Sequence, residues 1–162
     1  ERRALERDVD VEYDAIVLAD AGLRRSGLLH QLETQSLPAD AFVPSPGQGA
    51  LAVTARDGSD AAEAIHDAID TPRARVEATV ERTVLAELNG GCVAPIGVRA
   101  LLQGEHVHTR VQVLSTDGSE TVEATRDLPA RRYADAAVDF AADLREQGAA
   151  DLVERAKREV DA

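Results

Sequence analysis

Cys92 is the only cysteine among 162 residues, and it lies in the run Leu88-Asn89-Gly90-Gly91-Cys92-Val93-Ala94-Pro95-Ile96-Gly97. Two glycines before a thiol let a ligand approach the backbone closely, while Pro95 and Gly97 fix the exit of the loop. A thiol so placed is suited to covalent modification or nucleophilic attack. The alternative is a small buried hydrophobe, the commoner fate of a lone cysteine. A single cysteine excludes an intramolecular disulfide and any Cys-x-x-Cys zinc or redox pair. His106 and His108 share a strand face without a third or fourth ligand, so no metal site is expected, and His30 and His66 read as surface residues. Arg24-Arg25 has the chemistry to clamp a carboxylate through paired N–H donors, although exposed arginines are more often simply solvated. Gly47-Gln48-Gly49 is too short for a dinucleotide fingerprint and by itself reads as a loop.

The elements that position these residues follow from periodicity. Thr71-Pro72 starts a helix, with Thr as cap and Pro at the first helical position, and Val76, Val80, Val84 and Leu88 form one apolar stripe that stops at Asn89-Gly90-Gly91. Strands are predicted at Val98 to Leu102, Val107 to Leu114 and Thr121 to Leu128, joined by turns at Gln103-Gly104 and Asp117-Gly118 into an antiparallel meander. Val107, Val111 and Val113 alternate with His106, His108, Arg110 and Gln112, so one face of the second strand is dry and the other wet. Tyr133, Ala137, Phe140 and Leu144 mark a helix stopped by Gly148, and Leu152, Val153, Ala156 and Val160 mark the last one. The fold class is α+β: a three-stranded antiparallel sheet covered by helices, preceded by an incomplete α/β portion.

That preceding portion reads as a buried strand at Tyr13 to Ala19, a short helix from Leu23 to Leu29, a breaker at Leu37-Pro38-Ala39-Asp40 and a loop from Val43 to Gly49. A strand at Ala50 to Ala55 and a Ser59-capped helix to Ile69 follow. Two strands are at best marginal as a sheet, so partner strands are expected to be missing. No residue of the chain is Met and it opens Glu1-Arg2-Arg3, which is expected of a processed chain or a piece of a longer one.

The composition narrows the function classes. A formal charge of -12 disfavours a nucleic-acid binder, which needs a basic face for phosphates. No apolar run approaches the roughly 18 residues of a spanning helix, and no signal peptide is visible, so a cytoplasmic protein without membrane or nucleic-acid partners is expected. Lys157 is the only lysine; the remaining cations are arginines in an acidic, aromatic-poor chain, the composition of a salt-adapted proteome.

The run Glu81-Arg82-Thr83-Val84-Leu85-Ala86-Glu87-Leu88-Asn89-Gly90-Gly91-Cys92-Val93-Ala94-Pro95-Ile96-Gly97 resembles the cofactor-attachment signature of the hydroxymethylbilane synthase (porphobilinogen deaminase) family. Tyr13 to Ala19, Ala21-Gly22-Leu23-Arg24-Arg25-Ser26-Gly27-Leu28 and Pro46-Gly47-Gln48-Gly49-Ala50 match that family in order and approximate spacing. The resemblance implies an enzyme that joins four porphobilinogen units with release of ammonia, in tetrapyrrole and haem biosynthesis. The polypyrrole grows on a dipyrromethane cofactor held through a thioether to Cys92. Gly91, Gln48 and Gly49 would border that cofactor, and Arg25, with Arg24 beside it, would contact substrate carboxylates.

The same resemblance implies three domains, the first two like periplasmic binding proteins. Residues 1–40 would be the tail of the second, 41–57 the strand returning to the first, 58–70 a connecting helix and 71–162 the cofactor-attachment domain. The family's catalytic aspartate belongs to the first domain, so no catalytic residue is assigned in this chain. The complete enzyme would be a monomer, its source a halophilic archaeon, and this chain alone inactive. Two other readings stand beside this one: a non-catalytic α+β small-molecule-binding module, and a thiol-dependent redox enzyme needing a low-pKa thiol and a neighbouring base.

Overall fold

Steps of four along a helix place side chains on one face, and the stripe read from the sequence is the one that is buried. In the computed structural model, which describes residues 14–91 and 93–160, a helix spans Pro72–Glu87 (α3) and inserts Val80 and Val84 into the core, with Leu88 just beyond its end. Val76 packs at the margin. Before it come α1 (Asp20–Ser26), a 3-10 turn at Leu29–Gln31 and α2 (Asp60–Ile69). After it come β1 (Ile96–Gln103), β2 (His106–Leu114), β3 (Thr121–Pro129), a 3-10 turn at Ala130–Arg132, α4 (Tyr133–Glu146) and α5 (Ala149–Val160).

The three strands form the expected meander in the order β1-β2-β3, antiparallel throughout. Val98 faces Val111 and Ala100 faces Thr109 across the first pair, and Val107 faces Leu128 across the second. These residues are buried on one face, while His106, His108, Arg110 and Gln112 lie on the other, more accessible one. Thr109 is the polar exception in the core; its hydroxyl donates to the Val107 carbonyl at 3.1 Å, so the buried oxygen is satisfied. Helices cover the dry face: α3 lies over β1, α4 over β3 and against α3, and α5 over β2. Phe140 of α4 fills the centre, with the Arg126 guanidinium 4.8 Å from its ring centroid.

The β2–β3 turn is tied by Asp117. Its carboxylate accepts from the Ser115 hydroxyl (2.6 Å) and from the backbone N–H (3.0 Å) and hydroxyl (2.8 Å) of Ser119. Those donors favour the charged form, the Ser115 hydroxyl most, and bring its pKa down to about 2. A depressed carboxylate pKa stabilises the fold above the unfolded value near 3.8 and loses that contribution as pH falls toward 2. Asp117→Asn should therefore flatten the pH dependence of stability between about pH 4 and about pH 2, measured by denaturant midpoints. An unchanged slope would show that the turn does not hold the charge.

Several expectations need correction. Residues 14–19 and 50–55 are not strands; Tyr13, at the start of the first run, lies outside the described residues. A β-rich run becomes a strand only when another strand takes its N–H and C=O groups, and here Val17 is 83% and Leu51 90% exposed. The short helix begins at Asp20 and ends at Ser26, closed by Gly27 at φ 72°. Ser59 caps α2 as expected, accepting from the Ala62 N–H at 3.2 Å. Thr71 occupies the cap position of α3 but its hydroxyl turns back to the Ile69 carbonyl at 3.4 Å. Val160 is 63% exposed and is not part of the core. The chain divides into two compact units, residues 1–37 and 38–162. Among the described residues no helix is long and apolar enough to cross a membrane.

Candidate functional site

The loop that carries position 92 is fixed at both ends, and local sequence explains how. At its entry α3 stops in a Schellman arrangement: the Gly90 N–H reaches the Leu85 carbonyl (3.0 Å) and the Asn89 N–H the Ala86 carbonyl (2.9 Å). The left-handed residue is Asn89, at φ 54°, one of the few side chains that tolerate that region. Gly90 keeps the stop compact, since a Cβ there would press on the ends of the Ile96 and Leu85 side chains and make them shift. Arg145 of α4 adds a charged donor at the C-terminal end of α3, with Nη1 2.7 Å from the Glu87 carbonyl and 3.1 Å from its carboxylate. At the exit the Pro95 carbonyl accepts from the Leu114 N–H at 3.0 Å, and Ile96 is buried as β1 begins. Cys92 itself lies outside the described residues. Gly91, before it, is exposed with open space where a Cβ would sit.

Gln48 and Gly49 sit on a double turn. The Gln48 N–H bonds to the Ser45 carbonyl and the Ala50 N–H to the Gly47 carbonyl, both at 3.0 Å. Pro46 and Gly47 (φ 74°) fill the central positions of the first turn, Gln48 and Gly49 (φ 84°) those of the second. Positive φ at the third position of each turn is the type II pattern and accounts for both glycines. Gln48 and Gly49 are exposed, so their polar groups can meet a ligand.

This double turn belongs to the same compact unit as β1 and α3, and three contacts seat it there. The Pro44 carbonyl accepts from the Val98 N–H at 2.9 Å. The Val43 carbonyl oxygen lies 2.4 Å from where a Cβ on Gly97 would be, so only glycine allows the approach. Glu81 of α3 accepts from the Gly47 N–H (2.7 Å) and, through its other oxygen, from the Ala100 N–H (2.9 Å). One turn earlier Glu77 accepts from the Leu102 N–H at 2.8 Å. Three outward N–H groups of edge strand β1, those of Val98, Ala100 and Leu102, are thus taken by one carbonyl and two carboxylates. Sequence reading missed Glu81 and Glu77 in this capacity. Their spacing of four on a helix was a visible signal, but their acceptor role depends on a strand about twenty residues later.

Arg24 and Arg25 lie in the last turn of α1, in the other compact unit. The Arg24 Nε donates to the Asp20 carboxylate at 2.6 Å, and that hydrogen bond pushes its pKa above the ordinary value. Arg25 is exposed and takes no part in the pair.

Two family models match in tandem. The one for the "Porphobilinogen deaminase, dipyromethane cofactor binding domain" matches residues 2–64, and the one for the "Porphobilinogen deaminase, C-terminal domain" residues 75–147, together most of the chain. The chain belongs to the porphobilinogen deaminase family. A "Probable porphobilinogen deaminase" from Halobacterium salinarum is 55% identical over 159 residues, covering 98% of this chain and 40% of the relative. One from Methanococcoides burtonii is 37% identical over 147 residues, covering 90% and 47%. The porphobilinogen deaminase of Deinococcus radiodurans is 39% identical over 147 residues, covering 88% and 46%. The chain thus spans less than half the length of the curated relatives it matches. Within the family match, Arg24, Arg25, Gln48 and Gly49 fall under the first model and the Gly91-Cys92 loop under the second.

Proposed function

We propose that this chain is part of a hydroxymethylbilane synthase, a transferase of porphyrin biosynthesis that joins four porphobilinogen units head to tail. The observation that carries the reading is the tandem family match, with the glycine-flanked Cys92 inside its C-terminal half. Residues 71–162 act as the cofactor-attachment domain. Residues 1–40 belong to a second, periplasmic-binding-protein-like domain, 41–57 return to the first, and 58–70 connect them. Runs 14–19 and 50–55 then find their partner strands in the missing N-terminal portion, which accounts for their exposed apolar side chains. The complete enzyme is a cytoplasmic monomer that needs neither nucleic acid nor membrane. The acidic, lysine-poor composition and the Halobacterium relative support a halophilic archaeal source.

The residues present suit dipyrromethane. Its attachment needs a soft nucleophile, and the Cys92 sulfur provides it: an S–C bond forms to the methylene carbon of a porphobilinogen-derived unit, the C–N bond breaks, and the thiol proton leaves with ammonia. Bound there, dipyrromethane supplies the free pyrrole carbon on which the chain is extended. The product of every addition carries acetate and propionate groups, which Arg25 and, once released from Asp20, Arg24 bind as bidentate donors. The Gly49 N–H, which lies outside both turn bonds and is unobstructed by a Cβ, suits an anionic arm of the cofactor.

The family's proton-transferring aspartate has no counterpart in this chain, so the chain alone should not consume porphobilinogen. Adding the missing N-terminal portion should restore consumption. A colorimetric assay of porphobilinogen loss checks both arms, and turnover by the isolated chain would overturn the assignment of the acid to the other portion.

A further inference from the structure

The Glu81 carboxylate hydrogen-bonds to both the double turn and the sheet. Its two oxygens accept from different backbone amides, Gly47 at 2.7 Å and Ala100 at 2.9 Å. Neither amide has another use: Ala100 sits on the outer side of an edge strand, and the Gly47 N–H lies outside the two turn bonds made by Gln48 and Ala50. Glu81 is half-buried, so solvent does not readily take over either bond. A charged acceptor holding two neutral donors is stronger than two neutral contacts. The partner contacts, Pro44 carbonyl to Val98 N–H and the Cβ-free face of Gly97, stop at residue 44, short of Gln48 and Gly49.

We infer that Glu81 is a positioning residue: its carboxylate staples the Pro46–Gly49 turn to β1 and so fixes where Gln48 and Gly49 present their backbone. Its importance for tetrapyrrole assembly rests on the function proposed above, but the staple itself does not. Glu77 is the internal comparison, because it binds the same strand through Leu102 without touching the turn.

The test is amide hydrogen exchange by NMR on this 162-residue chain and its Glu81→Ala and Glu77→Ala variants. Alanine suits both helical positions, so α3 should persist, and the amides of Val111 and Val113 in β2 report whether the sheet does. In Glu81→Ala, exchange at Gly47 and Ala100 should rise by about tenfold or more, the size expected when a hydrogen bond to a charged group is lost, with Val111 and Val113 unchanged. In Glu77→Ala only Leu102 should respond. Unchanged exchange at Gly47 in Glu81→Ala would overturn the inference, as would an equal rise at Val111, which would make Glu81 a general stabiliser. Glu81→Gln is the second variant if alanine unfolds the chain: its NH2 group takes the place of one of the two acceptor oxygens and the charge is lost, so exchange at Gly47 or Ala100 should rise, and unchanged exchange at both overturns the staple. Intact mass of the same samples and of the completed enzyme judges the dipyrromethane reading separately, since the exchange result does not depend on an adduct.

Discussion

Cys92→Ala in the complete enzyme should yield a folded protein that carries no dipyrromethane and assembles no polypyrrole. The loss should be near total, because alanine supplies no nucleophile for a soft carbon at the position where the thiolate would attack. The fold should survive because the loop is fixed on either side of position 92. Helix α3 is closed by Asn89 and Gly90, its end is held by Arg145, and the exit is anchored at Pro95 and Ile96. Intact mass reads the adduct and thermal melting reads the fold. A variant that keeps the dipyrromethane mass would refute attachment through Cys92, and an unmodified wild-type thiol in the complete enzyme would favour the small-molecule-binding module instead.

Phe140→Ala should have the largest effect on stability. Phe140 is 1% exposed at the contact of α4 with the sheet, and truncating a buried Phe costs about 3–5 kcal/mol through lost transfer energy and the cavity left behind. The ring also supports the Arg126 guanidinium, which would keep only its 2.6 Å pair with Asp143. A domain stable by about 5–15 kcal/mol would lose a large share of its margin. Urea unfolding at fixed salt measures the shift. A change below about 1 kcal/mol would mean that the helices can close over the gap, which the adjacent buried Ala136, Ala137 and Ala141 leave little material to do.

What was legible in the sequence depended on how local its cause was. The α3 stripe and the β2 alternation were visible because a helix and a strand impose periods of 3.6 and 2 on whatever faces the core. Gly104 and Gly118 marked the two hairpin turns, and both adopt positive φ. The sequence marks a stop at Asn89-Gly90-Gly91, but which of the three takes the left-handed conformation is visible only in the structure, where it is Asn89. Residues 14–19 and 50–55 misled because β-forming side chains reveal a preference, not a partner. Gly91 and Cys92 were legible through one long motif, and Arg24, Arg25, Gln48 and Gly49 through two shorter runs in the same order and spacing. Glu81 stood inside that motif unremarked, because its acceptor role is set by Gly47 and Ala100, 34 residues before it and 19 after.

The carboxylates along β1 have one more consequence. An edge strand with open N–H groups invites a strand from another molecule, the usual first step toward β-aggregation. On β1 the amides of Val98, Ala100 and Leu102 are already committed to Pro44, Glu81 and Glu77. An incoming strand would have to displace two half-buried carboxylates and meet their negative charge while doing so. Glu81, which seats the Gly47 turn, and Glu77 one helical turn earlier therefore keep this side of the sheet from recruiting copies of itself.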